Sequence, residues 1–298
     1  MARRRGPHRA GAWPWVFIGP LLAGVAVFYY YPIVSNAWTS LTQSGAFGTN
    51  QRFVGLDNYA GLVDRGDLGT AVLNTLGYTL IVLLGVPLSV MVAAMIELPG
   101  LRFAPLYRAL FFMPYLAMPM AIAQVFRLVF NGDFGLVNQG LRALGVNASP
   151  YWLTTPGFAL VAVALFGLWS SIGFNVIICC AGLKGVPREL YEAASLDGAG
   201  PVRQFWAVTV PMLTPSIFFL TVMQTIAGFQ LFDALFALMG ANNPAMPQTR
   251  SLVYLFYQLG FVVNDRGSAA AVAMVILVFV AAVTAVQFWG QRRWVTYA

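Results

Sequence analysis

The stretch Pro187–Pro211, P-R-E-L-Y-E-A-A-S-L-D-G-A-G-P-V-R-Q-F-W-A-V-T-V-P, is a short polar passage wedged between long apolar segments. Six charged residues gather in or beside it: Lys184, Arg188, Glu189, Glu192, Asp197 and Arg203. Pro187 suits the first turn of a helix, where its fixed φ and missing N–H cost nothing. Asp197-Gly198 supplies a turn where only a small residue fits easily. Ala193 and Ala194 carry no bulk, so another surface can approach that helix closely. Pro201 suits the start of a second helix, and Pro211 its boundary. From the residues alone, this is a cytoplasmic loop holding a short amphipathic helix.

Composition identifies the solvent. Of 298 residues, 59% are hydrophobic and 9% charged, against about 25% charged in a soluble domain. The chain therefore belongs in a bilayer, and its net charge of +7 reports membrane topology, not a nucleic-acid surface. The inventory also removes several enzyme classes. His8 is the one histidine, so histidine-based metal or triad chemistry lacks its parts. Cys179 and Cys180 are adjacent in an apolar run, fit no zinc spacing, and read as buried small hydrophobes. Lys184 is the one lysine, and Gly185 follows it where a phosphate-binding loop needs Ser or Thr. Any use of ATP must come from a partner.

Six apolar runs are long enough for the hydrocarbon core, which takes about 20 helical residues. They are roughly 13–34, 71–96, 106–130, 157–182, 212–239 and 269–290. The first follows Arg3-Arg4-Arg5, His8 and Arg9, as a signal peptide would. It is span-length, however, and ends in Tyr29-Tyr30-Tyr31, an interfacial belt in place of a small-residue cleavage site. With the N-terminus inside, eleven Lys and Arg residues fall in cytoplasmic segments and six in outer ones, which places both ends in the cytoplasm. The expected organisation is a basic tail over 1–12, a six-span domain over 13–290 with its polar loop at 183–211, and a short tail over 291–298.

E-A-A-x-x-x-G at Glu192–Gly198, continuing to Val210-Pro211, resembles the coupling loop of permease subunits in binding-protein-dependent ABC importers. The flanking E-L-Y, L-D-G-A-G and Phe205 are similar to the carbohydrate-importing branch, whose usual Leu-Pro ending is Val-Pro here. F-N-G-D-F-G-L-V-N at Phe130–Asn138, Q-L-F-D at Gln230–Asp233 before G-A-N-N-P at Gly240–Pro244, and Gly267-Ser268-Ala269-Ala270 resemble further segments of that family. Each also reads as an ordinary turn-rich loop. The resemblance implies an all-α integral membrane permease subunit of a bacterial plasma membrane. Its loop would hold a coupling helix: Glu192 engages a basic group on the ATPase, Ala193 and Ala194 permit close docking, and Asp197-Gly198 makes the turn. The implied partners are a second homologous permease, a pair of ATPase subunits that bind ATP and Mg, and an extracytoplasmic binding protein or lipoprotein, with membrane lipid around the spans. This chain itself needs no cofactor and performs no covalent chemistry.

A solute path needs polar or small side chains facing the bundle interior. Gly167, Ser170, Ser171 and Phe174 recur at i, i+3, i+4, i+7 and share one helical face. Two hydroxyls, a gap and a ring suit a sugar, although small-residue helix packing gives the same stripe. Gln224, Ala227, Gly228 and Leu231 repeat the spacing on the next span. Gln230 and Asp233 share a different face near the outer end of that helix, with Asp233 opposite Gln224 and able to cap a helix end or pair with Arg250. Asn175, Gln124, Asn74 and Tyr78 read chiefly as interhelical contacts. The function expected is import of a sugar, disaccharide or amino sugar. Glycerol-3-phosphate or a glycerophosphodiester is the alternative within the family, and an ion-coupled secondary transporter or channel the alternative outside it.

Overall fold

The computed structural model describes residues 13–43, 52–146 and 149–296; the basic tail expected over 1–12 lies outside them. Helix α1 (Trp13–Val25) passes through a π-helical turn (Ala26–Tyr30) into α2 (Tyr31–Ser40), beyond the expected end at Val34. Pro32 accounts for the widened turn. It has no N–H to return and its ring crowds the carbonyl four residues back, so the ladder opens and the Tyr31 N–H bonds to the Ala26 carbonyl. A two-residue antiparallel pair, β1 (Thr42–Gln43) with β2 (Arg52–Phe53), sets Thr42 opposite Phe53. Helix α3 (Asp57–Asp64) follows, and α4 (Asp67–Leu83) with α5 (Gly85–Ile96) forms one 30-residue apolar stretch.

The third apolar run is not the straight span expected. It divides into α6 (Ala104–Leu116) and α7 (Pro119–Val129), which meet at 96°. Pro119 disfavours the helical conformation for the residue before it, and Met118 takes φ −58°, ψ 120°. The connection that follows is ordered by its own side chains around α8 (Leu136–Ala143). Asn131 Oδ1 accepts the N–H groups of Asp133 and Phe134. Buried Asn138 donates to the Gly132 and Pro150 carbonyls and accepts from Trp152 Nε1. Tyr151 donates to Asp133 Oδ1 at 2.8 Å.

Helix α9 (Phe158–Lys184) runs unbroken for 27 residues and packs against α4, α5 and α6. Gly173 lets α6 reach it: an added Cβ would lie 2.1 Å from the Phe111 carbonyl oxygen. Cys179 and Cys180 are buried in this packing, as expected of small hydrophobes. Helix α10 (Arg188–Leu196) begins just after Pro187. The chain then runs through α11 (Pro201–Gln204), a π turn (Phe205–Thr209), α12 (Val210–Met212) and α13 (Thr214–Phe229), with a 66° bend at Leu213. The second π turn precedes Pro211 as the first precedes Pro32, and the Val210 N–H reaches back to Phe205.

The fifth run therefore departs from the continuous helix expected over 212–239. Helix begins at Pro201, stops at Phe229 and restarts as α14 (Asp233–Met239). Ser251 Oγ donates to the Leu231 carbonyl inside the break, so that backbone group keeps a partner. Short helices α15 (Met246–Thr249) and α16 (Leu252–Tyr257) lead through a π turn to α17 (Arg266–Trp294), which continues past 290 with Arg292 and Arg293 in its last turn. Gly267 admits the backbone that follows the end of α2. Its Cβ would meet the Thr42 carbonyl at 2.4 Å, and Asn36 donates to the Ala270 carbonyl.

Among the described residues four helical stretches are long and apolar enough to cross a membrane, and six if each bent pair counts as one.

Candidate functional site

The first expected stripe and three residues of the second meet across a cavity of about 380 Å³; Leu231, the fourth of the second, lies beyond the end of α13 and is buried in the core instead. Gly167, Ser170, Ser171 and Phe174 of α9 form one wall, and Met223, Gln224, Ala227 and Gly228 of α13 the other. Tyr78 and Val82 of α4 contribute, as do Pro114, Tyr115, Ala117, Pro119 and Ile122 from both sides of the α6–α7 bend. The bend thus brings residues from both of its sides to one cavity. The Phe174 ring stacks on Tyr115 with centroids 5.2 Å apart.

Both glycines serve packing as well as the cavity. A Cβ on Gly167 would fall 2.2 Å from the Tyr78 hydroxyl, and one on Gly228 would fall 2.5 Å from Thr79 Oγ1. The small-residue and solute-facing readings of these stripes are therefore not exclusive. Gln224 is buried, and its Nε2 donates to Asn175 Oδ1 at 2.8 Å, tying α13 to α9 at the cavity. Asn175 is fully buried and makes this interhelical bond without lining the cavity. Asn74 likewise serves structure, donating to the Gln248 and Arg250 carbonyls. Gln124 accepts from Arg127 of its own helix.

Asp233 corrects the helical-wheel argument. It does not lie opposite Gln224 on one helix; after the break at residues 230–232 it opens α14 and lines the same cavity as Gln224. Nor does it pair with Arg250, whose guanidinium bonds to Asp67. Gln230 stays at the exposed end of α13, outside the cavity. The aromatic Tyr115 and the bend residues were missed in the sequence. Two prolines, Pro114 and Pro119, inside one apolar run were the available signal for that bend.

The polar loop forms a second feature. Glu192 and Ala193 are exposed on α10, and Ala194 is half-buried. Gly198 ends the helix at φ +75°, a left-handed conformation that L side chains resist, while Ala199 N–H returns to the Ala194 carbonyl at 2.9 Å. Asp197 is exposed at the C-cap. The loop is fastened to the following helix by Tyr191 with Thr209 (3.0 Å) and by Gln204 Nε2, which donates to Ser195 Oγ and the Ala199 carbonyl.

Residues 74–296 match the family model for the binding-protein-dependent transport system inner membrane component. The chain belongs to that family. It is an inner membrane component of a binding-protein-dependent transporter, which sets aside the ion-coupled carrier or channel. The sn-glycerol-3-phosphate transport system permease protein UgpA of Yersinia enterocolitica is 33% identical over 95% of each chain. That of Agrobacterium fabrum is 32% identical over 92% of this chain and 93% of its own. The fold also matches a crystal structure of a bacterial ABC transporter involved in import of the acidic polysaccharide alginate, with TM-score 0.79, 21% identity, and coverage of 95% of this chain and 96% of that one. A second structure, of the alginate transporter in complex with an alginate pentasaccharide-bound periplasmic protein, gives 0.80 at 20% identity and 95% of each chain.

Proposed function

We propose that this family member is the permease subunit of an ATP-driven importer for a carbohydrate. The carrying observation is the arrangement along α9 and α13: both line the cavity, and the exposed helix α10 lies in the connection between them. Each bent pair counts as one of six spans, both termini lie in the cytoplasm, and the loop over 183–211 meets a cytosolic ATPase. Glu192 pairs with a basic group there, Ala193 and Ala194 allow close approach, and Asp197-Gly198 turns the chain away. The ATPase pair holds ATP and Mg; this chain does not. When the pair closes, α10 moves with it and tilts α9 and α13, presenting the cavity to one side of the membrane at a time. Nucleotide drives that change only through different affinity for the two arrangements. A second permease completes the path. An extracytoplasmic binding protein delivers the solute, in the manner of the pentasaccharide-bound periplasmic protein in complex with the alginate transporter.

The cavity suits a sugar: hydroxyl and amide groups offer hydrogen bonds beside the Phe174–Tyr115 stack, on which a sugar's C–H face can rest. The second reading, glycerol-3-phosphate, rests on the UgpA relatives, permease proteins of sn-glycerol-3-phosphate transport systems. Uptake into proteoliposomes containing the purified complex and its binding protein separates them. ATP-dependent accumulation of a radiolabelled neutral sugar supports the first; accumulation of glycerol-3-phosphate alone replaces it with the second; no ATP-dependent uptake of any solute its binding protein holds defeats both.

A further inference from the structure

The polar atoms facing the cavity are biased towards accepting hydrogen bonds. Asp233 contributes a carboxylate, which when ionised only accepts. Gln224 spends one N–H of its Nε2 on Asn175 Oδ1, which leaves the amide one further N–H beside its Oε1 acceptor. Ser171 spends its proton on the Leu168 carbonyl at 2.9 Å and has only acceptor capacity left. The hydroxyls of Tyr78 and Ser170 can act either way. No Lys, Arg or His is among the described residues lining the cavity. Arg127, on α7, donates to Gln124 and does not reach the lining, and Arg250 is held by Asp67.

We infer that this cavity selects solutes that donate hydrogen bonds, hydroxylated and either neutral or amine-bearing, and turns away anions such as phosphate esters and carboxylates. The inference rests on the reading of the cavity as the solute path and adds its charge selectivity. A phosphate entering would meet the Asp233 carboxylate with no cation on this wall to offset it. An amine or a ring of hydroxyls would find acceptors already oriented.

Charge selectivity can be read without knowing the solute. Ser170→Cys places a thiol in the lining, while the native Cys179 and Cys180 are 0% and 3% exposed. In the assembled complex in nanodiscs, labelling rates at position 170 are measured with a cationic and an anionic methanethiosulfonate reagent, each normalised to free cysteine. The unsubstituted chain supplies the background. The expected ratio favours the cation roughly tenfold, the scale on which a cleft of one charge sign concentrates counter-ions. Asp233→Asn should reduce it to within about twofold. A ratio near one, or favouring the anion, overturns the inference, as does a thiol that neither reagent reaches in an intact complex. The importer reading fails separately, by loss of ATP-dependent uptake.

Discussion

At the scale of single residues, the glycines mark where two backbones or a backbone and a ring must touch. Gly173→Ala would force a methyl group against the Phe111 carbonyl, which belongs to the helix backbone and cannot swing aside. Overpacking of this kind costs about 1–3 kcal/mol, so the variant should show a lower Tm in detergent by fluorescence-detected size exclusion; an unchanged Tm would mean that α6 does not approach α9 this closely. Gly198→Val is a different case. Nothing lies within 4 Å of its added Cβ, but φ is +75°, and a β-branched residue there strains the turn that closes α10. The expected outcome is normal insertion with reduced ATPase coupling, read as the ratio of transport to hydrolysis. Tyr151 offers a titration. Its hydrogen bond to Asp133, and then the charge of that carboxylate, hold the phenol above its ordinary range. A raised folded value means the contact is intact below pH about 10 and is lost as pH rises through the folded value. Asp133→Asn should bring the phenol back towards its ordinary range in an ultraviolet titration; no change would exclude the contact.

Elements show where the sequence was legible and where it was not. The polar stretch over 187–211 yielded its own helix and turn, because Pro187, Gly198 and Pro201 act locally and need no knowledge of neighbours. The stripes on α9 and α13 were also readable, since helical spacing places Gly167, Ser170, Ser171 and Phe174 on one face whatever surrounds them. Asp233 was not readable. Its position depends on the helix stopping at Phe229, and Gln230-Leu231-Phe232 contains no proline or glycine to announce a break; a distant hydroxyl, Ser251, satisfies the freed carbonyl. The α6–α7 bend was announced by Pro119, but its angle depends on how both halves pack. Pro119→Ala restores an N–H and removes the restriction on Met118. It should straighten this segment, withdraw Ala117 from the cavity and lower uptake while leaving assembly intact. Unimpaired uptake would show that the bend does not shape the path.

At the scale of the whole molecule, the central claim is that the chain works only as part of a larger machine. It holds a cavity and an exposed helix, and it contains no standard phosphate-binding loop. The direct measurement is a pull-down of the tagged chain from native membranes in mild detergent, with identification of partners and assay of ATP hydrolysis for wild type and Glu192→Ala. The account predicts co-purification of an ATPase, a second permease and a binding protein, and weaker docking or coupled hydrolysis in Glu192→Ala. Recovery of the chain alone or as a simple oligomer, without an ATPase, would contradict it.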